Sequence, residues 1–130
     1  MEGNNDECKA LTSQLYGGDS RVRIRQELVL GVGGMRALEA MGIRPGVLHL
    51  NEGHSAFAIL ELARSVMNRD GRSFPDVQER IAAMTVFTTH TPVEAGHDRF
   101  DPSLLEETLG PLRRQLVPFS VGELSCHKSC

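Results

Sequence analysis

Histidine, carboxylate and short hydroxyl side chains gather at two places in this chain. One is Asn51-Glu52-Gly53-His54, directly after the apolar run Val47-Leu48-His49-Leu50. The other is Thr89-His90-Thr91-Pro92, two residues beyond Val86-Phe87. These side chains carry fixed donors and acceptors on short arms, which suits them to sugar hydroxyls or phosphate. If the two apolar runs are parallel strands, both polar bursts fall at carboxyl ends, where open parallel sheets bind ligands. Helix N-termini just beyond add amide donors suited to phosphate. Asn51, Glu52, His54, Thr89, His90 and Thr91 are therefore the candidate substrate-binding residues. The alternative for any one of them is structural: Asn51 and Gly53 can shape a turn, and His90 can be a satisfied core histidine.

Two other chemistries compete. Gly31-Val32-Gly33-Gly34 lies in ELVLGVGGMRALEAMG, with Glu52 about 20 residues further on. That spacing matches a dinucleotide-binding strand, glycine turn and helix. Against it, Arg36 replaces the third glycine, and helical periodicity runs through the glycines without a switch to period two. Glycines inside a helix cost about 1 kcal/mol each, bearable where something packs closely on them. The second competitor is a metal. His49, Glu52 and His54 are close, but H-x-x-E-x-H on a strand end is not the helical H-E-x-x-H of zinc hydrolases. Cys126 and Cys130 flank His127 with no second pair, so they read as tail. No metal is expected.

The elements that must position these residues follow from periodicity. Ile24, Leu28, Gly31, Met35 and Leu38 lie on one face of a helix from Ser20 to about Met41, capped by Asp19 or Ser20 and stopped by Gly42 and Pro45. Residues 46–51 read as a strand buried on both faces. A helix follows from about Ser55 to Met67, with Ala56, Ile59, Leu60, Ala63 and Met67 on its buried stripe. Ser73 and Asp76 form a capping box for the next, with Phe74, Val77, Ile81 and Met84 inward. Val86 and Phe87 belong to a second buried strand ending at Pro92. Residues 93–100 are a loop holding Gly96 and His97, and Asp101-Pro102 starts a helix carrying Leu104, Leu105, Leu109 and Leu112. The fold class is α/β, with short parallel strands flanked by helices. Two strands cannot cover so many amphipathic helices, so the chain reads as a slice of a larger sheet, with helix faces open to self-association.

Composition bounds the function. The chain has 130 residues, 40% hydrophobic and 24% charged, with a net charge of -3. That excludes a disordered chain and gives no electrostatic footprint for nucleic acid. No apolar run approaches the ~20 residues of a membrane span. The start MEGNNDEC is the reverse of a secretory signal, and three cysteines confined to the ends are no disulfide framework. A cytoplasmic location is expected.

The stretches LYGGDSRVRIRQELVLGVGG, VLHLNEGHSAFAILELAR and TVFTTHTPVEAGHDRF resemble the α-glucan (glycogen/starch) phosphorylase family, most of all its bacterial branch. The resemblance runs from about Leu11 to Leu112. It implies a much longer enzyme of GT-B architecture, in which two Rossmann-like halves face a cleft. Such enzymes use inorganic phosphate to release glucose 1-phosphate from an α-1,4-glucan with retention. Their pyridoxal phosphate is held by a lysine of the C-terminal half. Residues 11–114 then correspond to a partial Rossmann-like segment of the N-terminal lobe, 1–10 to a disordered polar start and 115–130 to a divergent, disordered tail. By motif match His90 falls on the histidine that contacts the glucosyl unit, and Glu52 and His54 on positions lining the pocket. Lys9 and Lys128, the two lysines, lie outside the matched stretch, so no cofactor-binding and no catalytic residue is expected here. The expectation is a fragment inactive alone, with glucan and phosphate as ligands of the full-length family. Its rivals are a non-catalytic glucan-binding or subunit-associating remnant, and a dinucleotide-binding module.

Overall fold

In the computed structural model the described residues are 3–13, 18–92 and 98–116. Asp6–Ala10 form a short helix, α1, because the Asn5 side chain accepts from the Cys8 amide and Lys9 pairs with Asp6. Helix α2 (Ser20–Leu28) begins at Asp19, whose carboxylate accepts the Val22 N–H at 3.0 Å. It passes through one π-helical turn, Val29–Gly33, into α3 (Gly34–Ala40). The glycine run is thus helical, and the strand and turn of a dinucleotide site do not form. Its physical reason is close approach. A Cβ on Gly31 would stand 2.6 Å from the Ala58 amide nitrogen, whereas Gly33 and Gly34 have nothing within 4 Å. Gly42, at φ +74°, ends the run.

Strand β1 (Leu48–Asn51) leads through a 3-10 turn, Gly53–Ser55, into α4 (Phe57–Asp70). Helix α4 runs three residues beyond Met67, because Gly71 supplies a left-handed cap whose N–H reaches the Met67 carbonyl. It is the central helix: Leu60, Ala63 and Met67 are buried as the stripe implies, and so are Ala58, Glu61, Leu62 and Val66. More than one face is covered because the π turn, α3 and α5 all pack on it. Glu61, 1% exposed, survives there because Arg36 and Arg64 both donate to it. Burial pushes its carboxyl up, but the bonds from Arg64 and Arg36 outweigh this and leave it below the usual glutamate range.

Helix α5 (Phe74–Met84) starts at the Ser73/Asp76 capping box and buries Val77 and Ile81. It delivers β2 (Thr85–Thr88), which pairs in parallel with β1, Leu48 opposite Thr85 and Asn51 opposite Thr88. Helix α6 (Pro102–Leu116) begins after Asp101, which accepts the Ser103 amide at 2.8 Å, and buries Leu104, Leu109 and Leu112. The architecture is mixed α/β with a two-stranded parallel sheet.

The strands are not buried on both faces. Leu50 is 2% exposed, but Val47, Val86 and Phe87 are 62%, 49% and 55% exposed. The helices cover one face, and among the described residues no third strand or second helical layer covers the other. Beyond the sheet, Val29 and Leu30 of the π turn and Met41 and Ile43 after α3 are also exposed.

Candidate functional site

Parallel pairing in register brings the two polar bursts together. Asn51 ends β1 and Thr88 ends β2 as direct partners, so the chain leaves both strands at one edge. Glu52 continues the pairing by donating its N–H to the Thr88 carbonyl at 2.8 Å. It then turns sharply, at φ 61° and ψ -177°. That region is essentially glycine's, and a side chain held there marks a position over-determined by its surroundings.

What over-determines it is the Glu52 carboxylate. Oε1 accepts the N–H of His90, the N–H of Thr91 at 3.1 Å and the Thr91 hydroxyl at 3.2 Å. Oε2 accepts the Thr89 hydroxyl at 3.1 Å. The His90 amide first, with the threonine donors, holds the carboxyl below the usual glutamate range despite some desolvation. Glu52 is thus a clamp on 89–91. It stabilises the loop as an ionised acceptor rather than standing ready as a proton donor.

The other candidates are placed around that clamp. His90 is exposed, as are Asn51 and Thr89, while Thr91 and His54 are half-buried. Glu52, His54 and Thr91 line one cleft of about 520 Å³ whose walls include Phe57, Phe87 and Phe100. Asn51 and His54 line an adjoining cleft of about 530 Å³ with Ser55 and Gly34. His54 therefore stands between the two. His49 does not join the group: its Nε2 lies 2.8 Å from the Thr88 hydroxyl, across the sheet. His97 and Cys126–Cys130 lie outside the described residues. A larger cleft, about 940 Å³, is at the opposite edge of the sheet, lined by Ile43, Arg44, Arg69 and Arg80.

One cluster is not foreshadowed in the sequence reading. Glu27, His54 and Asp98 bring ligand-type atoms within 4.8 Å of one another. Arg23 sits among them. Its Nη2 donates to Asp98, lies 3.3 Å from His54 Nδ1 and 3.6 Å from Glu27 Oε1. The guanidinium fills the place of a cation. Glu27 is 5% exposed, and burial, with the Asp98 carboxylate beside it, pushes its carboxyl up to about 7. Only an i, i+4 spacing of Arg23 and Glu27 could have hinted at this; Asp98 comes from a distant loop.

The chain is similar to known proteins along most of its length. Over 106 aligned residues the chain is 42% identical to the maltodextrin phosphorylase of Thermococcus litoralis. Over 124 it is 38% identical to the glycogen phosphorylase of Mycobacterium tuberculosis. The chain is homologous to the α-glucan phosphorylases. The glycogen phosphorylase of Aquifex aeolicus is a further homologue, 31% identical over 107 residues. These alignments cover 82%, 88% and 82% of this chain but 13%, 14% and 15% of the phosphorylases. The chain thus spans about one-seventh of the length of the curated relatives it matches. No protein-family profile and no solved structure matches it. Among the described residues, no helix is long and apolar enough to cross a membrane.

Pyridoxal phosphate does not fit the described residues. A Schiff base needs a lysine facing a pocket. Lys9 is the sole described lysine; it is half exposed on α1 and paired with Asp6 at 3.3 Å.

Proposed function

We propose that the chain forms part of the Rossmann-like N-terminal lobe of a GT-B α-glucan phosphorylase, and that its strand-end rim contacts a glucosyl unit of an α-1,4-glucan. The homology supports the family. The observation that carries the site is the Glu52 clamp, which ties NEGH to THTP at one edge beside a cleft. In this reading His90 bonds a sugar hydroxyl through a ring nitrogen. His54, Asn51, Thr89 and Thr91 supply further polar contacts, and Glu52 holds the loop that presents them. Their work is orientation of the terminal ring against phosphate, drawing on binding energy from the rest of the oligosaccharide. Glucan phosphorolysis belongs to the complete enzyme; this chain alone releases no glucose 1-phosphate.

Calorimetric titration with maltoheptaose tests the reading. His90→Ala weakens binding about tenfold, the worth of one or two hydrogen bonds. Glu79→Ala, on the exposed side of α5, leaves it unchanged. Equal affinity of wild type and His90→Ala overturns the reading. A second role, self-association, is favoured by the open sheet face, on which Val47 and Val86 stand exposed, since contiguous apolar surface seeks a partner. Size-exclusion chromatography separates the two: a strict monomer that binds glucan excludes the second role.

A further inference from the structure

His54 Nδ1 lies 3.3 Å from Arg23 Nη2. A guanidinium nitrogen can only donate, so Nδ1 is the acceptor. Asp98 Oδ2 lies 3.8 Å from Nδ1. That is beyond hydrogen-bond reach, and Oδ2 already accepts from the same Arg23 nitrogen. Arg23 is itself confined. Its side chain is 14% exposed, Asp98 accepts from it, and buried Glu27 stands one helical turn on with Oε1 at 3.6 Å.

We infer that Arg23 is a positioning residue that fixes neutral His54 as the Nε2–H tautomer, so that the ring offers ligands a hydrogen-bond donor and not an acceptor. The group that meets it must then be an acceptor oxygen, from a sugar hydroxyl or from phosphate. Only the identity of that oxygen rests on the proposed glucosyl site; the tautomer does not.

The test is a long-range proton–nitrogen NMR spectrum of the full chain, at a pH where the ring is neutral. His54 is assigned by its loss in His54→Gln. Wild type shows the Nε2-protonated pattern. Arg23→Lys, which still donates, keeps it, and Arg23→Met converts it to a mixture of both tautomers. A wild-type spectrum dominated by Nδ1–H overturns the inference, as does an unchanged spectrum in Arg23→Met. The wild-type result needs no substitution, so a variant that fails to fold leaves the test intact. Titration with maltoheptaose, and separately with inorganic phosphate, then identifies the oxygen by which ligand moves the Nε2 signal. Arg23→Met weakens that ligand about three- to tenfold. If neither ligand moves the signal while the tautomer stands, the glucosyl reading fails and the positioning role holds.

Discussion

Replacing Gly31 or Gly33 with alanine gives opposite signs of stability change, although the glycines are two residues apart in one helical turn. A Cβ on Gly31 would lie 2.6 Å from the Ala58 nitrogen and 3.0 Å from the Phe57 carbonyl carbon. Both are backbone at the start of α4, so neither can swing aside. Alanine gains about 1 kcal/mol of helix propensity. Overpacking against a backbone that cannot yield costs about 3 kcal/mol, the upper end of its usual range. Gly31→Ala is therefore destabilised by about 2 kcal/mol. Gly33 is equally helical, at φ -62° and ψ -42°, and has nothing within 4 Å. Gly33→Ala keeps the gain of up to about 1 kcal/mol. For a chain of this size 1 kcal/mol moves Tm by roughly 3–5 °C. Thermal melts followed by circular dichroism should place Gly31→Ala below wild type and Gly33→Ala above it. A Gly31→Ala protein as stable as wild type refutes the close approach of the π turn to α4.

Further outcomes follow from the two carboxylates. Glu52→Ala removes the acceptor for 89–91, so the His90 and Thr91 amides exchange about tenfold faster; unchanged exchange contradicts the clamp. Because the Glu52 carboxyl is held low, the clamp is complete above the usual glutamate range. It is lost as pH falls through the depressed value. Glu27 has the opposite sign. Its folded carboxyl keeps a proton up to about 7, against an ordinary 4.5, so its contribution is full below that ordinary value and is lost as pH rises to about 7. The loss is roughly 3 kcal/mol, and urea unfolding across the window from 4.5 to about 7 should show a slope that Glu27→Gln flattens. An equal slope in both proteins contradicts the assignment.

Local rules were legible in the sequence because they depend on few neighbours. The Asp19 cap, the Ser73/Asp76 box, the Gly42 stop and the Asp101-Pro102 start are each set within a turn of chain. The helical period through the glycines correctly outweighs the G-x-G fingerprint, since Gly31 needs space for α4 rather than for a ligand. Burial was less legible. Val86 and Phe87 read as core, yet an apolar strand residue is buried only where something packs over it: Val86 lies on the open face of the sheet, and Phe87, on the Leu50 face, lines the cleft beside Glu52. The role of Glu52 was also hidden. Residue type marks a carboxylate at a strand end, but that it accepts four donors from 89–91 depends on the parallel register. Arg23, Glu27 and Asp98 escaped notice because their meeting joins α2 to a loop some 70 residues away.

The rim at the carboxyl ends of β1 and β2 is the point on which the functional account turns. Backbone-amide mapping of the full chain during titration with maltoheptaose addresses it directly. Shifts gathered on 51–54 and 89–91 are the predicted result. Shifts gathered instead on 42–46 and Arg80, beside the large cleft at the opposite edge of the sheet, would contradict it, and so would a spectrum that the oligosaccharide leaves unchanged.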